Sequence, residues 1–309
     1  MGMKRGVVIS NCQCQPLKHA LSLQCADIRF EFLGVHLMSP DTREADIQAF
    51  VAKAQAEYDV VLSIPLSDDF GALSLGRLRD TFSDKFVATI SNVFFAGLHP
   101  DLTYIGGLAQ RVEGPLGDYH SGIALMAYLR GRSVDEAKAL FRDEIYTAMG
   151  YHDTYAASLA ELVHRDAGVD VSIAADLPML LEQELCFLSV NHPTSWLFSH
   201  YAGSIARWLE TRGVTRLSGW ASGPMGMINY LASAAIFPVY PEIAARHGLE
   251  RVGSYVFQTA TVGDEPATCL DLESFLTSSF AAYDRIGREM LSNSHQGRAI
   301  LAKHAHIEA

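Results

Sequence analysis

Short apolar runs at Gly6 to Ser10, Ile28 to Leu33, Asp59 to Ile64 and Phe86 to Ile90 recur through the N-terminal part of the chain, with helix-like stretches between them. Runs of strand length joined by stretches long enough for helical crossovers are what a parallel sheet requires. The pattern predicts helices after Pro16, over Asp41 to Tyr58 with Asp41 or Thr42 as cap, and over Leu73 to Phe82. The expected N-terminal part is therefore a small parallel sheet in a three-layer α/β sandwich.

Beyond Gly117 the strand signal fades and apolar-periodic segments take over: Ile123 to Leu129, Val134 to Met149, Asp153 to Asp166, Met179 to Leu188, Trp196 to Thr211, Met225 to Ala235 and Leu272 to Ser292. Tyr255 to Phe257 alone looks strand-like there. The organisation expected is an α/β subdomain over 1–116 merged with a predominantly helical region over 117–309, the two sharing one core because no Pro/Gly/Ser-rich hinge separates them.

With 49% hydrophobic and 19% charged residues the chain is of globular type, and its formal net charge of -11 argues against nucleic-acid or anionic-membrane surfaces. Five cysteines at irregular spacing do not make a secreted disulfide framework. No stretch reads as a membrane span or a leader, so the expected location is cytoplasmic.

The turn after the first strand carries Asn11-Cys12-Gln13-Cys14-Gln15. Unpaired backbone N–H groups and the helix dipole at such a turn favour negative charge, so a cysteine there is a candidate nucleophile. Cysteines in a tight turn also serve as small packing residues; the polar Asn11, Gln13 and Gln15 around them favour a functional turn. Cys-x-Cys without a second pair is no zinc pattern, and no metal is expected.

Other segments fall at the carboxyl ends of the predicted strands, where open α/β sheets bind ligands. These are His36, Ser67-Asp68-Asp69, and Ser91 to Phe95. Arg77 and Arg79 follow the second of them, with Arg111 further on, and arginines suit phosphate. His99-Pro100-Asp101 adds a polar rim. In Gly117-Asp118-Tyr119-His120-Ser121 the imidazole of His120 is a candidate general base, with Asp118 as an alternative helix cap. His192, held extended before Pro193 ahead of a Thr194 or Ser195 cap, is the other candidate base. His295, His304 and His306 look like surface residues. Phosphate-loop, dinucleotide and Gly-x-Ser-x-Gly motifs are absent.

Asn11-Cys12-Gln13, Ser67 to Ser74, Phe94 to Asp101, Gly117 to Ser121 and Asn191 to Thr194, taken in order, resemble the WcbI family of capsular polysaccharide biosynthesis proteins. One departure is Ser10, where the family usually has glycine. The resemblance implies a bacterial protein of capsule assembly, and so of virulence, that binds coenzyme A and acetyl-CoA. It further implies an O-acetyltransferase acting on a deoxyheptose, presented as a sugar, sugar nucleotide or glycan. On that reading Cys12, His120 and His192 are the expected catalytic residues. Asn11, Gln13, Cys14, Gln15, Ser67, Arg77, Arg79, His99 and Arg111 are expected around the cofactor. Asn11, Gln13 or backbone N–H groups would hold the oxyanion, by direct transfer or through an acetyl-Cys12 intermediate. The alternatives are a hydrolase built on the same turn and a noncatalytic coenzyme A-binding component.

Overall fold

A computed structural model describes residues 2–107, 111–219, 227–305 and 307. The chain divides into two compact units, each assembled from separated segments.

The first unit comprises Met1–Phe94, Glu161–Cys186 and His192–Leu231. Its sheet is built from β1 (Lys4–Ser10), β2 (Ile28–Gly34), β3 (Val60–Ser63) and β4 (Phe86–Thr89), all parallel, in the order β2-β1-β3-β4. β1 is flanked on both sides and its Val7, Val8 and Ile9 are fully buried. β2, an edge strand, keeps the polar alternation of Arg29 and Glu31. Helix α1 (Cys14–Gln24) leads from β1 to β2, and α2 (Arg43–Glu57) from β2 to β3. Because the two crossovers run in opposite directions along the sheet and both are right-handed, they cover opposite faces. α1 buries Leu17, Ala20 and Leu21 and packs against the helix Ser195–Thr211, which Thr194 caps by accepting the Leu197 N–H.

The helix expected over Leu73 to Phe82 is instead a 3-10 segment at Asp68–Leu73 followed by a short helix at Leu78–Thr81. Ser74, which ends the 3-10 segment, is extended at ψ 153°, so the backbone leaves helical geometry inside the expected helix and resumes it only at Leu78.

The second unit comprises Phe95–Ala160, Phe187–Asn191 and Ala232–Ala309 and is mostly helical. Val134 to Met149, expected as one helix, is two, Val134–Lys138 and Asp143–Ala148. Leu272 to Ser292 likewise breaks into Leu272–Ile286 and Arg288–Asn293 at Gly287, whose φ is +95°. In the first unit Met179 to Leu188 shortens to Leu177–Gln183. Of the segment Met225 to Ala235, Met225 and Gly226 lie outside the described residues and Tyr230–Ser233 is a 3-10 turn. His306 also lies outside them, whereas His304 is buried. No helix among the described residues is long and apolar enough to cross a membrane.

The second unit is organised around a buried carboxylate. Asp101 accepts from the Tyr151 and Tyr240 hydroxyls, each at 2.6 Å, from the Ser121 hydroxyl, and from the Ile123 N–H at 2.8 Å. Ser121 in turn accepts the Ala124 N–H and so caps the helix Gly122–Leu129, the role Asp118 had been expected to share. Burial raises the Asp101 pKa, and its four donors oppose that shift. Asp101→Ala is expected to destabilise the protein by roughly 3 kcal/mol or more, because three buried hydroxyls and a helix start lose their acceptor together. Tyr151→Phe should cost about 1 kcal/mol. Urea denaturation of the two variants checks the ordering.

Candidate functional site

The cysteine turn is held by its own polar residues. The Asn11 side-chain oxygen accepts the Gln13 N–H at 3.1 Å, and the Asn11 carbonyl accepts the Cys14 N–H at 3.0 Å. Asn11 thereby caps α1 from outside the helix, while the cap residue Gln13 makes no side-chain capping bond. The Asn11 amide also donates to Asn92 Oδ1 at 3.0 Å. Gln13 is buried, donating to the Val93 carbonyl at 2.6 Å and accepting the Val93 N–H at 3.3 Å. Its amide, expected at an oxyanion, instead braces the turn against the segment leaving β4. Gln15 is exposed in the first turn of α1. Ser10 ends β1 opposite Gly34, and no non-glycine residue described has positive φ, so serine fits where the family usually has glycine.

Cys12 is half-buried and Cys14 buried. Burial, with the neighbouring Cys14 second, pushes the Cys12 thiol up to about 11. Burial also raises Cys14, partly offset by the Gln15 N–H. Desolvation thus outweighs the helix terminus, and the thiols are neutral at pH 7.

His36, which the sequence placed at the end of β2 without a role, is the imidazole beside this turn. An ideal Cβ on Gly34 would stand 2.9 Å from His36 Cε1 and 3.4 Å from Cys14 Sγ, so an imidazole and a thiol both pack against the bare backbone of Gly34. His36 is exposed, and partial desolvation lowers its pKa, favouring the neutral ring. The signal available in the sequence was its position: β1 and β2 are adjacent, so the residues just past their ends are neighbours.

The remaining expected residues divide between the units. Ser67, Arg77, Arg79 and His192 join the cysteine turn in the first. Ser67 Oγ lies 3.4 Å from Asp69 Oδ2. Arg79 is paired with Asp170 at 2.6 Å and donates to the Val87 carbonyl, and Asp170 also accepts the Thr89 N–H, so Arg79 fastens the β4 edge. Arg77 lines a cavity of about 560 Å³ with Arg43, Glu44, Asp68 and Asp69. His192 is a buried strand residue ahead of the Thr194 cap.

His99, Arg111 and His120 belong to the second unit. Arg111 lies over the Tyr104 ring, 4.3 Å from its centroid. His120 is buried in a strand, with Nε2 2.9 Å from the Val112 carbonyl and Nδ1 3.2 Å from the Tyr283 hydroxyl. Burial lowers its pKa, the Val112 carbonyl opposing. His99 is buried against Phe237, and desolvation lowers its pKa to about 4 despite contacts with the Pro238 and Phe187 carbonyls. Among the described residues no group of three or more His, Cys, Asp or Glu is placed to hold a metal ion.

His99 carries a pH prediction. Its folded pKa of about 4 is below the ordinary 6.5, so the fold holds the neutral ring. Its stabilisation is complete above pH 6.5 and is lost as pH falls from there toward 4. Urea midpoints measured across that window should fall with acidification in the wild type, and fall less steeply in His99→Gln. Equal slopes would show that His99 does not titrate there.

A family model for the polysaccharide biosynthesis enzyme WcbI matches residues 5–214. Among solved structures the chain is similar to one of WcbI, a polysaccharide biosynthesis enzyme, with 16% identity and a TM-score of 0.65 over 98% of this chain and 99% of that one. That structure is of the native protein without the disulfide bond between coenzyme A and one of its cysteines. At this identity the likeness establishes the fold. No curated protein matches the chain significantly. The cysteine turn and the strand ends around it lie inside the matched region, and the chain belongs to the WcbI family of polysaccharide biosynthesis enzymes.

Proposed function

We propose that the protein is an acetyl-CoA-dependent O-acetyltransferase acting on a sugar of a capsular polysaccharide, with the cysteine turn receiving the thioester. The observation that carries this reading is the approach of the Cys14 thiol and the His36 ring to Gly34, at the C-terminal edge of β1 and β2. In sheets of order 2-1-3-4 the crossovers diverge between β1 and β3, and ligands settle at that divergence. The related WcbI structure is described in terms of a disulfide between coenzyme A and a cysteine of that protein. Carried over here, this brings the coenzyme sulfur to the Cys12–Cys14 turn.

His36 takes the proton of the sugar hydroxyl as its oxygen attacks the thioester carbonyl. The tetrahedral oxyanion then collapses, the carbon–sulfur bond breaks, and the imidazolium returns its proton to the coenzyme A thiolate. The Asn11 amide and the exposed Gln15 lie at the edge where the oxyanion develops. Direct transfer is favoured over an acetyl-Cys12 intermediate: with a thiol at about 11, about one Cys12 in ten thousand is thiolate at pH 7. His36 here takes the role that sequence reasoning offered to His120 or His192.

The test is coenzyme A release from acetyl-CoA with and without a deoxyheptose acceptor, with mass spectrometry of the sugar. Acceptor-dependent release and an acetylated sugar are expected. His36→Gln should lower kcat by about a hundredfold or more, and Gly34→Ala, which crowds His36, should lower it too. Cys12→Ser should keep turnover within about tenfold. Acetate released without any sugar would make the protein a hydrolase. Coenzyme A binding with no transfer would make it a noncatalytic component. Loss of activity in His120→Gln or His192→Gln, with His36→Gln active, would move the base elsewhere.

A further inference from the structure

The first unit holds a cavity of about 560 Å³ whose walls are two segments beyond the ends of two strands, Pro40 to Gln48 after β2 and Asp68 to Arg77 after β3. β1 lies between these strands in the sheet, so the cysteine turn at its end stands between the two walls in strand order. The cavity walls and the cysteine turn thus all follow the carboxyl ends of strands of one sheet.

Its lining is unusual for an acidic protein. Arg43 and Arg77 both face it, with Glu44, Asp68 and Asp69. Such a set would normally collapse into ion pairs, as Arg5 with Glu31, Lys53 with Glu31, Arg79 with Asp170 and Arg216 with Asp27 do elsewhere in this unit. Here neither arginine pairs with a carboxylate among the described residues. Arg43 is held instead by the Phe70 ring, its guanidinium carbon 4.9 Å from the centroid, and its buried Nε has no hydrogen-bond partner. A planar cation fixed on an aromatic face, with its terminal N–H groups in no ion pair, is a preorganised phosphate donor. The carboxylates, left without cations, are acceptors suited to hydroxyl groups. Gly71 leaves the wall between them bare: nothing lies within 4 Å of where its Cβ would be, and its φ of +50° favours glycine.

Two donor groups for one anion and several acceptors for hydroxyls, in one cavity, describe a phosphate joined to a polyol. We propose that this cavity binds a phosphorylated sugar, the acceptor of the transfer, with its phosphate between Arg43 and Arg77 and its ring hydroxyls on Asp68, Asp69 and Glu44. Three carboxylates disfavour a ligand that brings only phosphates, which separates the acceptor from the diphosphate of coenzyme A. Arg77, expected from sequence on the coenzyme, becomes an acceptor residue. The assignment rests on the transferase reading but is tested by binding alone, so failure of one is distinguishable from failure of the other.

Calorimetric titrations of the full chain with mannose 1-phosphate, mannose, inorganic phosphate and coenzyme A decide it. The sugar phosphate is expected to bind at least about tenfold more tightly than either fragment. In Arg43→Gln/Arg77→Gln its affinity should fall about tenfold or more while coenzyme A affinity is unchanged. In Asp68→Asn/Asp69→Asn it should fall while inorganic phosphate binding does not. Circular dichroism melts of each variant, expected to match the wild type at these solvent-facing positions, confirm that the losses are local. Should the arginine variant lose coenzyme A affinity equally, the cavity belongs to the donor and the proposal is overturned. It is also overturned if inorganic phosphate binds as tightly as the sugar phosphate, or if no probe binds the wild type. If the sugar phosphate binds as expected and no acetyl transfer occurs, the transferase reading fails and the cavity assignment stands.

Discussion

The double hydrogen bond between the Gln13 amide and the Val93 backbone is the contact on which the site depends. Cys12 and Cys14 sit on a turn that has left the sheet, and such a turn has no ladder bonds to hold it. A buried glutamine that both donates to and accepts from the backbone of one residue supplies that hold, and it links the exit of β1 to the exit of β4. Asn11 repeats the device with Asn92. Asn11 and Gln13, which flank Cys12, are thus tied to the adjacent Asn92 and Val93 beyond β4, and the turn that carries both thiols has a fixed position. A glutamine read in isolation suggests a ligand donor. In the fold it serves to position the residues beside it.

The sheet was legible because its strands are short apolar runs joined by stretches long enough for helical crossovers. β1 to β4 lie where the runs do, and the parallel arrangement is as expected. Helix ends were less legible where glycine or a local cap broke a continuous apolar period. Gly287 divides one expected helix and the extended Ser74 shortens another, because periodicity records which face is buried and carries no record of backbone conformation. At the site, the cysteine turn was legible from composition and place. The partners of Gln13, Arg79 and His120 were not, since each lies far along the chain: Val93, Asp170 and Tyr283. His36 was legible as a position and illegible as a neighbour of Cys14, because that proximity depends on the bare backbone at Gly34.

The protonation of the thiols follows from the same packing that fixes them. A helix N-terminus favours thiolate by its dipole, but the dipole acts within a turn that is being desolvated, and removing a thiolate from water costs more than a half-unit of charge returns. Cys14 adds to this, because two thiolates so close would repel. A turn built to make cysteine nucleophilic would open Cys12 to solvent or place a cation beside it. This turn does neither, and it keeps a neutral imidazole at its border.

That combination distinguishes two kinds of chemistry at one position in the sheet. A thiolate beside an imidazolium makes a nucleophile that is acylated and then deacylated, with the base used twice. A neutral thiol beside a neutral imidazole leaves the base free to act on a hydroxyl brought from outside, and leaves the thiols as a soft, uncharged lining for the sulfur of a thioester. Charge is then needed at a distance from the reacting bond, where it orients substrates without shifting the pKa of the base. Arg43 and Arg77, in no ion pair among the described residues, meet that condition: they lie beyond the ends of β2 and β3, on walls that flank the turn in strand order. In the proposed reaction the neutral centre would carry the group transfer and the charged cavity, also beyond the carboxyl ends of the strands, would hold the molecule that receives it.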